Sequence, residues 1–317
     1  METKIFRVII FTKISYFMFS SFFIFFLFLV NRNLFLSISS YFSFSLEEKM
    51  FSLFSCLRLD QISFLFILIV CLVTTLVFFY SEVYMETYNN KKFFIITFSF
   101  FLSIRVLSSS GRITNLMIGW DGLGISSLFL IIFYPNKIRF FNSFITFFFN
   151  RLGDVFFLIF FCTYLINFRV FFYYRNDFSY LILFIFFLCL LTKRAQYPFS
   201  SWLPAAMSAP TPISAIVHSS TLVTAGIFIF FKFFTIFDKV NLLSLLLILR
   251  VVTFILGGFL GSIEPDLKKI VAFSTISQIR IILFFISSKF ISLGLCHTLY
   301  HALFKTLLFC GCGIVFL

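Results

Sequence analysis

Ten apolar runs of about twenty residues each follow one another through this 317-residue chain, the length a helix needs to cross a bilayer. They are expected at 15–30, 62–85, 93–110, 113–134, 141–168, 178–208 (interrupted), 212–232, 242–263, 269–289 and 291–317. The links between them are short and polar: 86–92, 135–139, 169–177, 238–241 and 264–269. Only the first link, 31–61, is longer and Ser-rich. The expected fold is therefore all-α: a polytopic transmembrane bundle of about ten helices. Composition agrees, with 61% hydrophobic and 12% charged residues and a mean hydropathy of +1.08; soluble domains carry about a quarter charged residues. No hydrophilic segment is long enough for a separate soluble domain, so a redox cofactor or nucleotide would be bound elsewhere.

The formal charge of +13 raises nucleic acid as a partner. The basic residues are scattered singly or in pairs at run ends, as at Lys91-Lys92 and Lys268-Lys269, which fits snorkelling and topology signals and not a phosphate-binding face. The expected partner is the lipid bilayer, with no nucleic acid. Lys4, Arg7 and Lys13 precede the first run without a small-residue cleavage site, so a retained first helix is expected. The seven cysteines form no CxxC pair or Cys/His cluster, and no metal site is expected. Phe supplies 58 residues, a bias towards T-rich codons that points to an AT-rich organellar genome.

Residues 193–226, KRAQYPFSSWLPAAMSAPTPISAIVHSSTLVTAG, interrupt this pattern with Lys193, Arg194, His218 and four prolines. Charges at membrane depth are costly and face a protein interior or a wet cavity. Trp202, Leu203, Ala205, Ala206 and Met207 leave too little polarity for a solvated surface loop. A helix is expected to break near 193–198, where Pro198 removes a backbone bond, and the next to begin at Thr211-Pro212, with Thr211 as cap and Pro212 in the first turn. Pro198, Pro210 and Pro212 mark the structural break.

Two acidic residues lie deep inside runs, Asp121 and Asp154. Asp154 follows Arg151 by three residues, so the two share a helix face and can pair, either as a packing device or as part of a charged path. Asp121 has no such neighbour, and Lys193 is its expected partner. A Lys–carboxylate pair at about 4 Å and an effective dielectric near 20 is held by roughly 4 kcal/mol, enough for its separation to switch the lysine between holding and releasing a proton. His297, His301 and Lys305 recur in steps of four on one face of the last run, as a row lining a hydrated path would. His218 is the third histidine at depth. HTLYH lacks the glutamate of a zinc-binding HExxH, which disfavours a metal.

The segments IGWDGLGISS, NRLGDVFF, the 193–226 stretch, DLKKIVAFSTISQ and HTLYHALFKTLLF, in that order, resemble the subunit 5 family of mitochondrial NADH–ubiquinone oxidoreductase, the distal antiporter-like subunits of respiratory complex I. The match runs from about residue 59 to the end. The resemblance implies a core membrane subunit of a redox-driven proton pump in the mitochondrial inner membrane, among other membrane-arm subunits. Flavin (FMN), iron–sulfur clusters and ubiquinone would belong to other subunits, with no cofactor in this chain. It also implies an antiporter-like architecture of inverted five-helix repeats: 1–92 as N-terminal helices and loop, 93–232 as a complete first repeat, 242–317 as a partial second. In the family the GWDG carboxylate pairs with the lysine matching Lys193, Arg151 and Asp154 match a second pair, and His218, His297, His301 and Lys305 match the hydrated axis.

The family's second broken helix, its later helices and its long lateral helix have no counterpart here, and the sequence stops inside an apolar run. Either the product is truncated or a separate chain supplies the remainder. Arg194, Arg250 and Arg280 stand where the family usually has small residues, and the last two have no evident partner. The expectation is that these arginines reflect AGA or AGG codons read as serine or glycine in some animal mitochondria, which peptide mass spectrometry over 278–282 would decide. Two other readings stay open: the large subunit of a multi-subunit cation/proton antiporter, and a split half that scaffolds its missing partner.

Overall fold

The computed structural model describes residues 60–85, 90–111, 113–134, 136–170, 180–234, 237 and 242–315; the side chains at 90–91, 164–170, 218–220 and 242–250 lie outside the description. The expected helix at 15–30 and most of the first link therefore fall outside it. Ten helices are described: α1 Gln61–Tyr84, α2 Asn90–Ser108, α3 Ile113–Ile131, α4 Lys137–Val170, α5 Tyr180–Lys193, the short α6 Trp202–Ala206, α7 Thr211–Lys232, α8 Leu242–Ile263, α9 Leu267–Ser287 and α10 Ile291–Val315. No strand occurs among the described residues. Six of the helices (α1, α3, α4, α7, α9 and α10) are long and apolar enough to cross a membrane.

The chain divides into two compact units, one of 1–134, 209–221 and 301–317, the other of 135–208 and 222–300. In the first unit, α2 packs along α3. The glycines of GWDG explain how closely: a Cβ on Gly119 would meet the Leu107 backbone at 2.6 Å, and one on Gly122 would meet Ser103 Cβ at 2.9 Å. Small residues spaced along a membrane helix permit such backbone approach. Asp121 is thus held between two contact points on α3. The buried face of α1 recurs at helical spacing, through Ile67, Val70, Thr74, Val77 and Ser81, while Leu76, Phe79 and Val83 point outward.

The second unit is built on α4 against α5 and α8 against α9. Phe bias becomes packing here: Phe186 of α5 stacks on Phe160 of α4 at 4.2 Å between centroids and on Phe237 at 5.7 Å, and Phe237 stacks on Phe230 of α7 at 4.7 Å. Outward faces of α4 and α8 stay apolar, as at Phe141, Phe148, Ile255 and Phe259, which suits lipid contact. Where α8 turns into α9, Lys269 bonds both Glu264 (3.6 Å) and Asp266 (3.0 Å), clamping the Glu264-Pro265-Asp266 corner.

Candidate functional site

The break after Lys193 is made by a backbone turn. Gln196 N–H donates to Leu191 O and Ala195 N–H to Thr192 O, both at 3.3 Å, which is the Schellman pattern of helix termination. Ala195 occupies the left-handed position at φ 51, where glycine is usual. Pro198 lies just beyond this turn and has no N–H with which the helix could continue. The turn is locked from outside by Trp202, whose indole N–H donates to Thr192 O at 2.9 Å. Lys193, the last helical residue, is 1% exposed.

Against this turn lies Gly153 of α4, so close that a Cβ there would fall on the Thr192 hydroxyl. Its neighbour Asp154 is buried and paired with Arg151 at 3.2 Å, as the spacing allows. The Arg151 side chain is one-third exposed and lies over the Phe147 ring at 4.9 Å. Asp154, Lys193 and Arg194 all lie near enough to the buried Cys189 to act on it electrostatically. The second unit therefore gathers a carboxylate and an ammonium around one helix end, with a guanidinium at the rim. Such a cluster can take up and pass on a proton because each charge is stabilised by the others. Asp121, half-buried on α3, belongs to the first unit.

In the first unit, α7 begins where the sequence places it, but with different chemistry. Pro210 is the cap, extended at ψ 153, and Thr211 is the first helical residue. Its hydroxyl faces Tyr80 Oη at 3.3 Å instead of capping, with Gly313 of α10 lying directly against both groups. The following segment, Ser214–Thr221, is a π-helix, and the Thr221 hydroxyl donates to Ile216 O, five residues back, at 2.6 Å. π-segments are rare and concentrate at functional sites. His218 sits in this segment, with its side chain outside the described residues. On α10, His301 and Lys305 are both buried, at 5% and 6% exposure. His297, one turn earlier and in the second unit, is half-buried and 3.2 Å from Gln278 Oε1 of α9.

Residues 110–317 match the family model described as NADH:quinone oxidoreductase/Mrp antiporter, TM, and residues 48–94 match that of NADH-Ubiquinone oxidoreductase (complex I), chain 5 N-terminus. NADH-ubiquinone oxidoreductase chain 5 of Aedes aegypti is 39% identical over 81% of this chain and 45% of its own. That of Anopheles arabiensis is 39% identical over 81% of this chain and 68% of its own. The chain belongs to the NADH-ubiquinone oxidoreductase chain 5 family. It spans about half the length of most of the chain 5 relatives it matches, such as 46% for Locusta migratoria. A chain of the Mrp complex from Dietzia sp. DQ12-45-1b superposes with a TM-score of 0.73 at 26% identity, over 80% of this chain and 30% of the other. The archaeal membrane-bound sulfane sulfur reductase superposes with a TM-score of 0.74 at 22% identity, over 82% of this chain and 56% of the other, a likeness of fold.

Within this chain 5 architecture the three unusual arginines differ. Arg280 does have a partner, correcting the sequence reading: its guanidinium carbon lies 3.2 Å from the centre of the Phe254 ring. The side chain of Arg250 lies outside the described residues. Arg194 is fully buried, donates one hydrogen bond to Gly226 O (3.0 Å) and lies over Phe230 at 4.5 Å, while its Nε and Nη1 have no acceptor among the described residues. Its Cγ would also crowd any side chain at Gly226, at 3.1 Å. A buried guanidinium without a carboxylate costs several kcal/mol, more than about 1–2 kcal/mol from one ring contact offsets. Arg194→Ser is accordingly expected to raise the yield of folded protein and its melting temperature, measured in detergent. A fall in both would show that arginine belongs there.

Sequence reasoning gave no role to Gly153, Thr192 and Gln278, and read Trp202 only as too apolar for a surface loop. Gly153 within NRLGD carried a signal, since a lone glycine in a Phe-rich helix marks a close approach; the other three reveal their roles only through cross-helix contacts.

Proposed function

We propose that the chain is a core membrane subunit of proton-translocating NADH:ubiquinone oxidoreductase in the mitochondrial inner membrane, where it contributes part of a proton path. The observation that carries this reading is Lys193, buried at the end of a broken helix with the Arg151–Asp154 pair beside it. Lys193 would hold a proton while Asp154 balances it. Movement of Asp154 from Arg151, its partner at 3.2 Å, towards Lys193 would strengthen that hold, and its return would weaken it, by a few kcal/mol per few ångströms at intermediate dielectric. His218, His297, His301 and Lys305 would supply further sites along the path, and Asp121 a further carboxylate. The division into a first repeat at 93–232 and a partial second at 242–317 belongs to the same proposal.

No redox step is assigned to this chain; FMN, iron–sulfur clusters and ubiquinone would be held by other subunits. The likeness to the Mrp chain favours a second reading, the large subunit of a cation/proton antiporter. Purification in mild detergent separates the two. Co-isolation with flavin and NADH-oxidising subunits is the expected result, whereas co-isolation with small membrane subunits alone, and no flavin absorbance, would favour the antiporter.

A further inference from the structure

We propose that Gln278 is a positioning residue for His297, holding the imidazole in one tautomer so that protons enter and leave through Nδ1 alone. The inference rests on the proton-path reading of His297. Gln278 Oε1 stands 3.2 Å from His297 Nε2. The helix that carries His297 is seated firmly at this level, because Gly294, one turn earlier, has Phe231 at 3.2 Å and Phe285 at 3.5 Å from where its Cβ would be. Phe285 also meets the imidazole edge-on, with centroids 6.2 Å apart. The ring is thus gripped by an amide at one nitrogen and an aromatic face beside it.

An amide oxygen accepts a hydrogen bond but has no useful affinity for a proton. Pairing with it makes Nε2 the N–H donor and leaves Nδ1 as the basic nitrogen, the usual way in which a partner fixes a histidine tautomer. Uptake then places the proton on Nδ1, giving an imidazolium that keeps its Nε2–H bond, and release returns the same proton from Nδ1. His297 would act as a site that takes up and returns a proton at Nδ1, and loss of the amide would let the basic nitrogen alternate between two positions and spoil that exchange.

The charged groups around His297 leave the amide as its orienting partner. On α9, Lys269 is engaged with Glu264 and Asp266 at the far end, Lys268 lies beside it in the first turn, and Arg280 covers Phe254. On α7, Lys232 lies over Phe228 at 5.0 Å. On α10 itself the titratable groups are His301 and Lys305 together with Cys296, Tyr300, Cys310 and Cys312. Among the described residues, none of these three helices carries a carboxylate.

The test is proton transport into proteoliposomes by the intact membrane complex, per assembled complex, for Gln278→Met, Gln278→Glu and His297→Phe. Glu keeps an acceptor oxygen at the same reach, whereas Met keeps volume and apolarity. A positioning role predicts that Met lowers transport about tenfold, the scale of one lost hydrogen bond, while Glu retains most of it. A packing role predicts the reverse order, and Met equal to or better than Glu overturns the proposal. Should the Met complex not assemble, Gln278→Asn, too short to reach the ring, is expected to lower transport similarly, and undiminished transport there also overturns it. His297→Phe keeps the two readings apart. If it leaves transport intact, the path reading of His297 fails; if it abolishes transport while Gln278→Met does not, only the positioning role fails.

Discussion

Gly153→Ala is expected to lower proton transport per assembled complex by more than about tenfold, although it adds one methyl group and no charge. The methyl would occupy the place of the Thr192 hydroxyl. Thr192 cannot retreat cheaply, because its hydroxyl donates to Cys189 O at 2.8 Å and its carbonyl accepts from both Trp202 and Ala195. Relief must come from α4 and α5 moving apart, and overpacking of this kind costs about 1–3 kcal/mol. That separation falls between Asp154 and Lys193, the two charges the site brings together. Assembly should drop modestly, as blue-native electrophoresis would show, and transport should drop far more. Full transport in the Gly153→Ala complex would mean that the spacing of these helices does not govern the path.

Lys193→Met is expected to abolish transport, by about a hundredfold or more, with assembly close to that of the unaltered complex. Methionine fills most of the same buried volume and removes the ammonium, so the packing of α5 against α4 survives. The loss then reports charge and not shape. Lys193→Arg sharpens the point, because a guanidinium keeps the charge but does not release its proton. Both variants should be inactive if Lys193 must let its proton go, and an active Arg variant would reduce Lys193 to a fixed counter-charge. Quinone reduction measured alongside separates loss of transport from loss of electron flow.

Much of the architecture is legible in the sequence because lipid imposes one strong rule, the long apolar helix, and breaks in that rule stand out. The spans from α1 to α10, the interruption at Lys193 and the start of α7 at Thr211 all follow from run length, charge and proline. Arg151 with Asp154 follows from their i,i+3 spacing alone. What stayed hidden depends on which helices meet. The turn after Lys193 uses Ala195 where glycine would have announced it. Thr211 reads as a cap because threonine usually is one, yet its hydroxyl is drawn to Tyr80, 131 positions away in the sequence. The π-segment follows prolines and a run of small and hydroxyl residues, but nothing in that run counts five residues per hydrogen bond instead of four. The approach of Gly153 to Thr192, which brings the Arg151–Asp154 pair to the end of α5, could be found only once α4 and α5 were seen to pack.

Stopping a helix in the middle of a membrane has an electrical side as well. The peptide dipoles of α5 all point the same way, and where the helix ends their sum leaves about half an elementary negative charge at its last carbonyls. Lys193 stands in that terminal turn. The backbone itself thus supplies part of the counter-ion that a sequestered ammonium requires, permanently and without a proton of its own to lose. An unbroken span would carry that pole out to the headgroups and leave the lysine to its side-chain neighbours alone.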